Sequence, residues 1–420
     1  MLQKLILFFC LFLPFQFALS PATGIDLASI RIFVLILFFW WIFKSLYKKN
    51  LRISLDWQTL FVFSFLFLAS FSLFFAQNTH WASRKLVFLF SIFPLYFVFK
   101  SRTFNEKWVE KISSFLVFGS FGVATVGIAQ FFAQFIFKLD SVLIFWRNYV
   151  TPFFLGGAFS QSVVQNSSWL VNISGKTIFR AISIFPDPHM FSFYLGMTTP
   201  IALFLFFKNK QRKFFLMFFV ILLADLLTFS RGGYIALTAT VLFLGFVFLK
   251  DVLRSHKHRG AFFLTILSIF VFLVLTPVKT RFLASFNLNE GSNVGRIEMW
   301  TNALQTIQKN PLGVGLGNFP LEVNPLATYR TPIYAHSLYL DIASEMGIPT
   351  LLIWLAIISF SLYTFLIKSK GNVLYFGCAA ALLIFSIHSF VETPLFSVHV
   401  LPLFLIIISF ANAKPIKQDN

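Results

Sequence analysis

GIPTLLIWLAIISFSLYTFLIK, residues 347–368, carries no charge from Gly347 to Ile367. A helix rises 1.5 Å per residue, so about 20 apolar residues cross a hydrocarbon core of about 30 Å. This stretch therefore reads as a transmembrane helix. Working outward, runs of the same kind follow at 372–390 and 395–412 and precede at 26–47, 57–76, 84–100, 111–137, 189–207, 212–230, 232–250 and 261–277. The opening MLQKLILFFCLFLPFQFALSPATG has the outline of a signal peptide. Pro21, just past the Ala18-Leu19-Ser20 cleavage outline, argues against cutting, and we read it as a first span. The expected fold class is an all-α polytopic membrane protein of about 12 transmembrane helices. The alternating pattern of a membrane barrel is absent.

Composition agrees. Of 420 residues 58% are hydrophobic and 12% charged, more apolar surface than a soluble domain of this size can cover. The net charge of +19 is expected from basic cytoplasmic loops and does not indicate a nucleic-acid partner. Cys10 and Cys378 lie in separate apolar runs and outline neither a metal site nor a disulfide. The domain reading is a transmembrane unit over 1–412, with loops at 138–188 and 278–335 set into it and a cytoplasmic tail at 413–420. With the N-terminus inside, 21 of the 34 Lys and Arg fall on inner segments, 12 on outer ones and Arg31 within a span. Both termini are then cytoplasmic and both long loops lie outside.

Polar residues gather on that outer face. Arg180 ends the first long loop, Arg231 sits in the tight turn TFSRGGYIAL, and Arg296 opens GRIEMWTNALQTIQKNP. Ile297, Trp300, Leu304 and Ile307 recur at helical spacing, so roughly 295–308 reads as an amphipathic helix, with Ser292 or Asn293 as its cap. Arg296 in its first turn would add a guanidinium to free N–H groups, an arrangement that suits an anion. PLGVGLGNF lacks the strand–turn–helix context of a phosphate loop and reads as a flexible turn. His336 opens AHSLYLDIASEMGIPT, 335–350. If 336–346 is helical, Leu340 and Ala343 share its face while Asp341 and Glu345 do not, so a partner for the imidazole must come from elsewhere. His388 and Glu392, spaced i, i+4 at the outer end of the 372–390 span, are expected to face each other and the same cavity. Only Asp225 and Arg31 approach mid-membrane depth, which disfavours a transporter built on broken helices.

At these residues the chain resembles the O-antigen ligase family, which shares a superfamily with O-antigen polymerases. The family pattern is His, a small polar residue, nine positions, Gly, two positions, then Gly, Thr or Tyr. His336-Ser337, Gly347 and Thr350 fit it without a gap. TFSRGGYIAL is similar to the family's Ser-Arg-Gly turn, and NPLGVGLGNF to the stretch before its catalytic loop. The resemblance covers roughly 180–400. It implies a metal-independent glycosyltransferase of the bacterial inner membrane that needs no cofactor. Its donor would be a glycan on undecaprenyl diphosphate, presented at the periplasmic face among membrane lipids. Its acceptor would be lipid A core or another glycan or surface hydroxyl. His336 would be the general base, and Arg231, Arg180 and Arg296 would bind the diphosphate; Ser337, His388 and Glu392 are supporting candidates. A repeat-unit polymerase needs the same site and differs in the acceptor. A small-anion, bicarbonate-like transporter is the alternative of another class. The chemistry agrees with the resemblance: fixed guanidiniums stabilise charge on a departing diphosphate, and an imidazole of ordinary pKa about 6.5 suits general-base work near neutral pH.

Overall fold

The computed structural model describes residues 2–22, 25–51, 54–101, 105–164, 167–173, 175–247, 291–329 and 333–413. The expected span at 261–277, the start of the second loop and residues 414–420 lie outside them. Among the described residues six helical stretches are long and apolar enough to cross a membrane. These are α2 (Ser29–Tyr47), α3 (Trp57–Phe71, carried to Phe75 by a 3-10 turn), α4 and α5 (Thr79–Ile92 and Pro94–Lys100, one stretch), α6 (Glu106–Phe137), α10 (Pro188–Asn209) and α16 (Ile348–Ser369). The described residues add shorter apolar helices: α1 (Leu2–Phe12), α11 (Arg212–Leu227), α12 (Arg231–Val247), α17 (Leu374–His388) and α18 (Val400–Ser409). Strand is confined, among the described residues, to two antiparallel hairpins. They are β1 (Ala18–Ala22) with β2 (Ile25–Ala28), and β3 (Leu170–Ile173) with β4 (Lys176–Phe179). The protein is an all-α polytopic membrane protein.

Local chemistry sets the helix starts. Asp56, Asn78 and Asn105 cap α3, α4 and α6 by accepting the N–H of Thr59, Trp81 and Trp108. Asp187 caps α10 through the N–H groups of His189 and Met190, with Pro188 in the first helical position. α10 is the central helix: 83% of its span window is buried, against 28% for α2 and 33% for α16. It packs against α6, α11 and α17. Two glycines let α12 come this close. A Cβ on Gly232 would meet the His388 ring at 2.6 Å, and one on Gly233 would meet Ser192 Oγ at 2.2 Å.

Several boundaries depart from the sequence reading. The 84–100 span begins at Thr79, because Asn78 supplies a cap the apolar run does not reveal. The polar loop 138–188 is built into α7 (Leu139–Phe145), α8 (Thr151–Leu155), α9 (Gly157–Val164) and the β3–β4 hairpin, around a small core of Val142, Leu155, Val163, Trp169, Phe179 and Ile182. α13 (Gly291–Lys309) is already helical at the first described residue, so Ser292 and Asn293 lie within the helix and are not its cap. Arg296 therefore stands beyond the first turn and its free N–H groups. After α14 (Phe319–Val323), α15 (Leu338–Met346) starts two residues past His336, which has a left-handed φ of 50°. The helix-face argument for His336 thus does not apply. α17 ends at His388, so Glu392 sits in the following turn and not one helical turn above it.

Candidate active site

The site is assembled from the ends of several helices, the chain after β4 and the turn after α17. Within α6, Gln130 and Gln134 lie one helical turn apart and grip the extended chain that follows β4. Gln134 pairs with both backbone groups of Phe179 at 2.8 Å, and Gln130 donates to Arg180 O and accepts from Ile182 N. This fixes Arg180. Its guanidinium is buried, with Nε donating to Thr228 O at 2.6 Å and Nη1 to Ser168 O at 2.8 Å. Arg180 thereby joins the loop to the Thr228–Arg231 turn. Arg231, the first residue of α12, is buried in the same region.

Glu392 is the centre of the cluster. Its Oε1 accepts from Arg296 Nη2 at 2.8 Å and lies 3.7 Å from His189 Nδ1; its Oε2 lies 3.5 Å from His336 Nδ1. The partner missing from the sequence reading of His336 is therefore Glu392. His189 Nδ1 is also 3.2 Å from Ser230 Oγ, which is 3.4 Å from His388 Nε2. His388 is fully buried and lies flat on Phe193, centroids 3.8 Å apart. It joins the cluster through Ser230, while Ser337 precedes α15 and makes no side-chain cap.

Backbone bonds hold His336 over Glu392. Leu338 N donates to Ser389 O at 2.9 Å and to Glu392 O at 3.3 Å, tying the start of α15 to the turn after α17. Asp341, not an imidazole partner, holds the preceding residue: its Oδ1 accepts Ala335 N–H at 2.8 Å, and its Oδ2 accepts from the Thr393 hydroxyl. Burial, then the nearby Glu345, pushes the Asp341 carboxyl up to about 6. Glu345 points away from the site and pairs with Lys85 Nζ at 3.0 Å; both are buried, and Lys85 lies over the rings of Phe396 and Tyr334. Breaking such a pair strands a buried charge. Lys85→Met is expected to destabilise the protein by about 3–5 kcal/mol, and Lys85→Met with Glu345→Met to recover most of it. Thermal midpoints in detergent measure this; an unchanged midpoint for the single variant would refute it.

The glycine stretch between α13 and α14 is a docked turn. Gly313, Gly315 and Gly317 all have positive φ, and the N–H groups of Val314 and Gly315 donate to Ser344 O and Glu345 O at 2.9 Å. Those amides are committed to the end of α15, so they do not cradle a phosphate.

Charges follow from this geometry. The Glu392 carboxylate, as acceptor facing the imidazole, raises the His336 pKa above its ordinary value, against the lowering effects of burial and of Arg296. Burial alone would raise the Glu392 carboxyl. His189, His336 and Arg296 around it outweigh that and hold it well below the usual carboxylate range. Asp187, behind the cluster, is pushed up to about 6, first by burial. Nδ1 is the ring nitrogen that faces the Glu392 carboxylate, so a neutral His336 with its proton there has its lone pair on Nε2. The ring is 47% exposed, so a substrate can reach it, while the Glu392 carboxylate behind it is 11% exposed. On α13, Arg296 Nε and, one turn on, Trp300 Nε1 are buried and find no hydrogen-bond partner among the described residues. Both donors lie on one face of α13.

The sequence reading named His336, Arg296, Glu392 and His388, and the structure brings all four together. It missed His189, Ser230 and the structural role of Asp341. His189 carried a signal in PDPH: a titratable ring directly after a cap and a proline, at the outer end of a span.

The bundle and cluster define an integral membrane protein with an imidazole–carboxylate–guanidinium site at one end. Residues 214–355 match the family model described as O-antigen ligase. This stretch is similar to an O-antigen ligase domain, which supports a place in the ligase and polymerase superfamily of glycosyltransferase-like enzymes. The matched stretch includes Arg231, Arg296 and His336; His189 and Glu392 lie outside it. No curated protein matches the chain.

Proposed function

We propose that this protein transfers a glycan from a polyprenyl diphosphate, undecaprenyl diphosphate by family resemblance, to a hydroxyl of lipid A core or a comparable surface acceptor. The transfer takes place at the periplasmic face of the bacterial inner membrane, a reading supported by the excess of Lys and Arg in the loops of the opposite side. The observation that carries this reading is the Glu392 carboxylate held between His336 and Arg296. It sets a base beside a cation at the surface of a polar site. His336 Nε2 takes the acceptor hydroxyl proton as that oxygen attacks the anomeric carbon. The bond from that carbon to the diphosphate oxygen breaks, and its electron pair leaves with the diphosphate. Arg231 and Arg296 bind the diphosphate, with Arg296 Nε and Trp300 Nε1 offering N–H groups. Arg180 adds charge and fixes the turn that carries Arg231. These donors are fixed before reaction, in a place of low dielectric, where they stabilise developing charge better than water does. Glu392 stabilises the imidazolium, and the exposed ring returns its proton to solvent. Neither metal nor cofactor is needed, since the diphosphate is already a good leaving group.

The test is reconstitution of the purified protein in liposomes with a lipid-linked glycan and lipid A core, in the presence of a chelator. The expected products are glycosylated lipid A core and free polyprenyl diphosphate. Lengthened lipid-linked chains instead would show a polymerase, and no product from either acceptor would sink the proposal.

A further inference from the structure

α7, the π-helical turn Trp146–Val150 and α8 run without interruption from Leu139 to Leu155, and their two sides differ. The inner side belongs to the small core of Val142, Leu155, Trp169 and Phe179. The outer side leaves Ile144 57%, Phe145 51%, Tyr149 69% and Phe153 61% exposed. Phe145, Tyr149 and Phe153 follow one another at intervals of four, so they make a stripe and not scattered surface residues. Lys138, Asp140, Arg147 and Asn148 are exposed beside it. The stripe continues the apolar end of α6, where Phe132, Phe135, Ile136 and Phe137 are also exposed. α6 spans 32 residues, roughly 48 Å at helical rise, and it is apolar to its last residue. Hydrocarbon therefore has to reach the point where Lys138, at a φ of 67°, turns the chain into α7.

We infer that Leu139–Leu155 is an interfacial helix. It lies in the leaflet on the His336 side, with its aromatic stripe at the boundary of headgroups and acyl chains. Amphipathic helices of this kind bury their apolar face by about 5–10 Å while cationic side chains reach the lipid phosphates. Here Lys138 and Arg147 are those side chains, and Tyr149 has the ring-and-hydroxyl character enriched at membrane interfaces. The occupant of the stripe is the phospholipid of the same membrane, because the stripe is continuous with a spanning helix. The placement also bears on the site. Trp146 Nε1, on the inner side, donates to Ser183 O at 2.7 Å, three residues from Arg180. Lipid thus sets the height of the Arg180 segment relative to the headgroup plane. That consequence rests on the proposed function; the position of the helix does not.

The experiment uses the full chain with Cys10 and Cys378 replaced by serine. An environment-sensitive fluorophore is attached through Tyr149→Cys or, as reference, through Lys176→Cys in exposed β4. In nanodiscs, nitroxide lipids labelled close to the headgroup should quench position 149 by roughly threefold or more over position 176. Labels near the chain end should be less effective. Equal, water-like emission and quenching at both positions would overturn the inference. So would protection of position 149 that depends on having two copies of the chain per nanodisc, which would assign the stripe to a protein interface.

Discussion

Replacing His336 with alanine is expected to lower glycan transfer by roughly 10²–10⁴-fold, the usual contribution of a general base. The protein should still accumulate. The loop around His336 is held by Ala335 N–H on Asp341 and by Leu338 N–H on Ser389 and Glu392, all backbone donors that survive the change. The left-handed φ at this position calls for a second variant. Asparagine tolerates that backbone and lacks a comparable base, so His336→Asn should fold at least as well as His336→Ala and be equally inactive. In cells lacking their native enzyme, surface glycan should disappear with either variant at normal protein level. Normal display from either variant would remove His336 from the mechanism.

Glu392→Gln should have the next largest effect and a distinctive pH signature. Glutamine preserves volume and a carbonyl for Arg296 but loses the charge that stabilises the imidazolium. In the serine-protease triad, where the acid likewise fixes the tautomer of a catalytic histidine, the equivalent amide costs about 10⁴. A decrease of roughly 10²–10⁴ in kcat is expected here. The sign of the pH effect follows from the raised His336 pKa. Activity requires the neutral ring, so in the native protein it falls as pH drops through a value above about 6.5. Without the carboxylate that value falls, and the acid limb of the kcat profile moves to lower pH while the plateau decreases. A purely structural role would lower the plateau and leave the limb in place. An unchanged plateau and limb would show that Glu392 does not act on His336.

The transmembrane pattern was legible because it follows a local rule. A hydrocarbon slab of fixed thickness demands a run of apolar residues of fixed length, and a run is visible in one dimension. Starts and stops were less legible. Caps such as Asn78 and Asp187, and the end of α17 at His388, depend on single residues that hydropathy does not register. The largest local departure was loop 138–188. Its short helices alternate apolar residues for the small core with apolar residues left exposed, and neither set makes a run long enough to span.

By itself the sequence determined that the chain is a polytopic helical membrane protein and that His336 to Thr350 carries a spacing similar to the family's. Each is a property of neighbours along the chain. Only the tertiary structure decided what His336 touches. Its partner Glu392 is distant in sequence, in a turn after another helix, and reaches it because Leu338 is bonded to that turn. Arg296 and His189 converge on the same carboxylate from two further elements. Asp341 and Glu345, the acids nearest His336 in sequence, serve Ala335 and Lys85 instead. The physical reason is that periodicity within one helix says nothing of how helices face each other; that is set by packing, down to Gly232 and Gly233 letting α12 sit against His388 and Ser192.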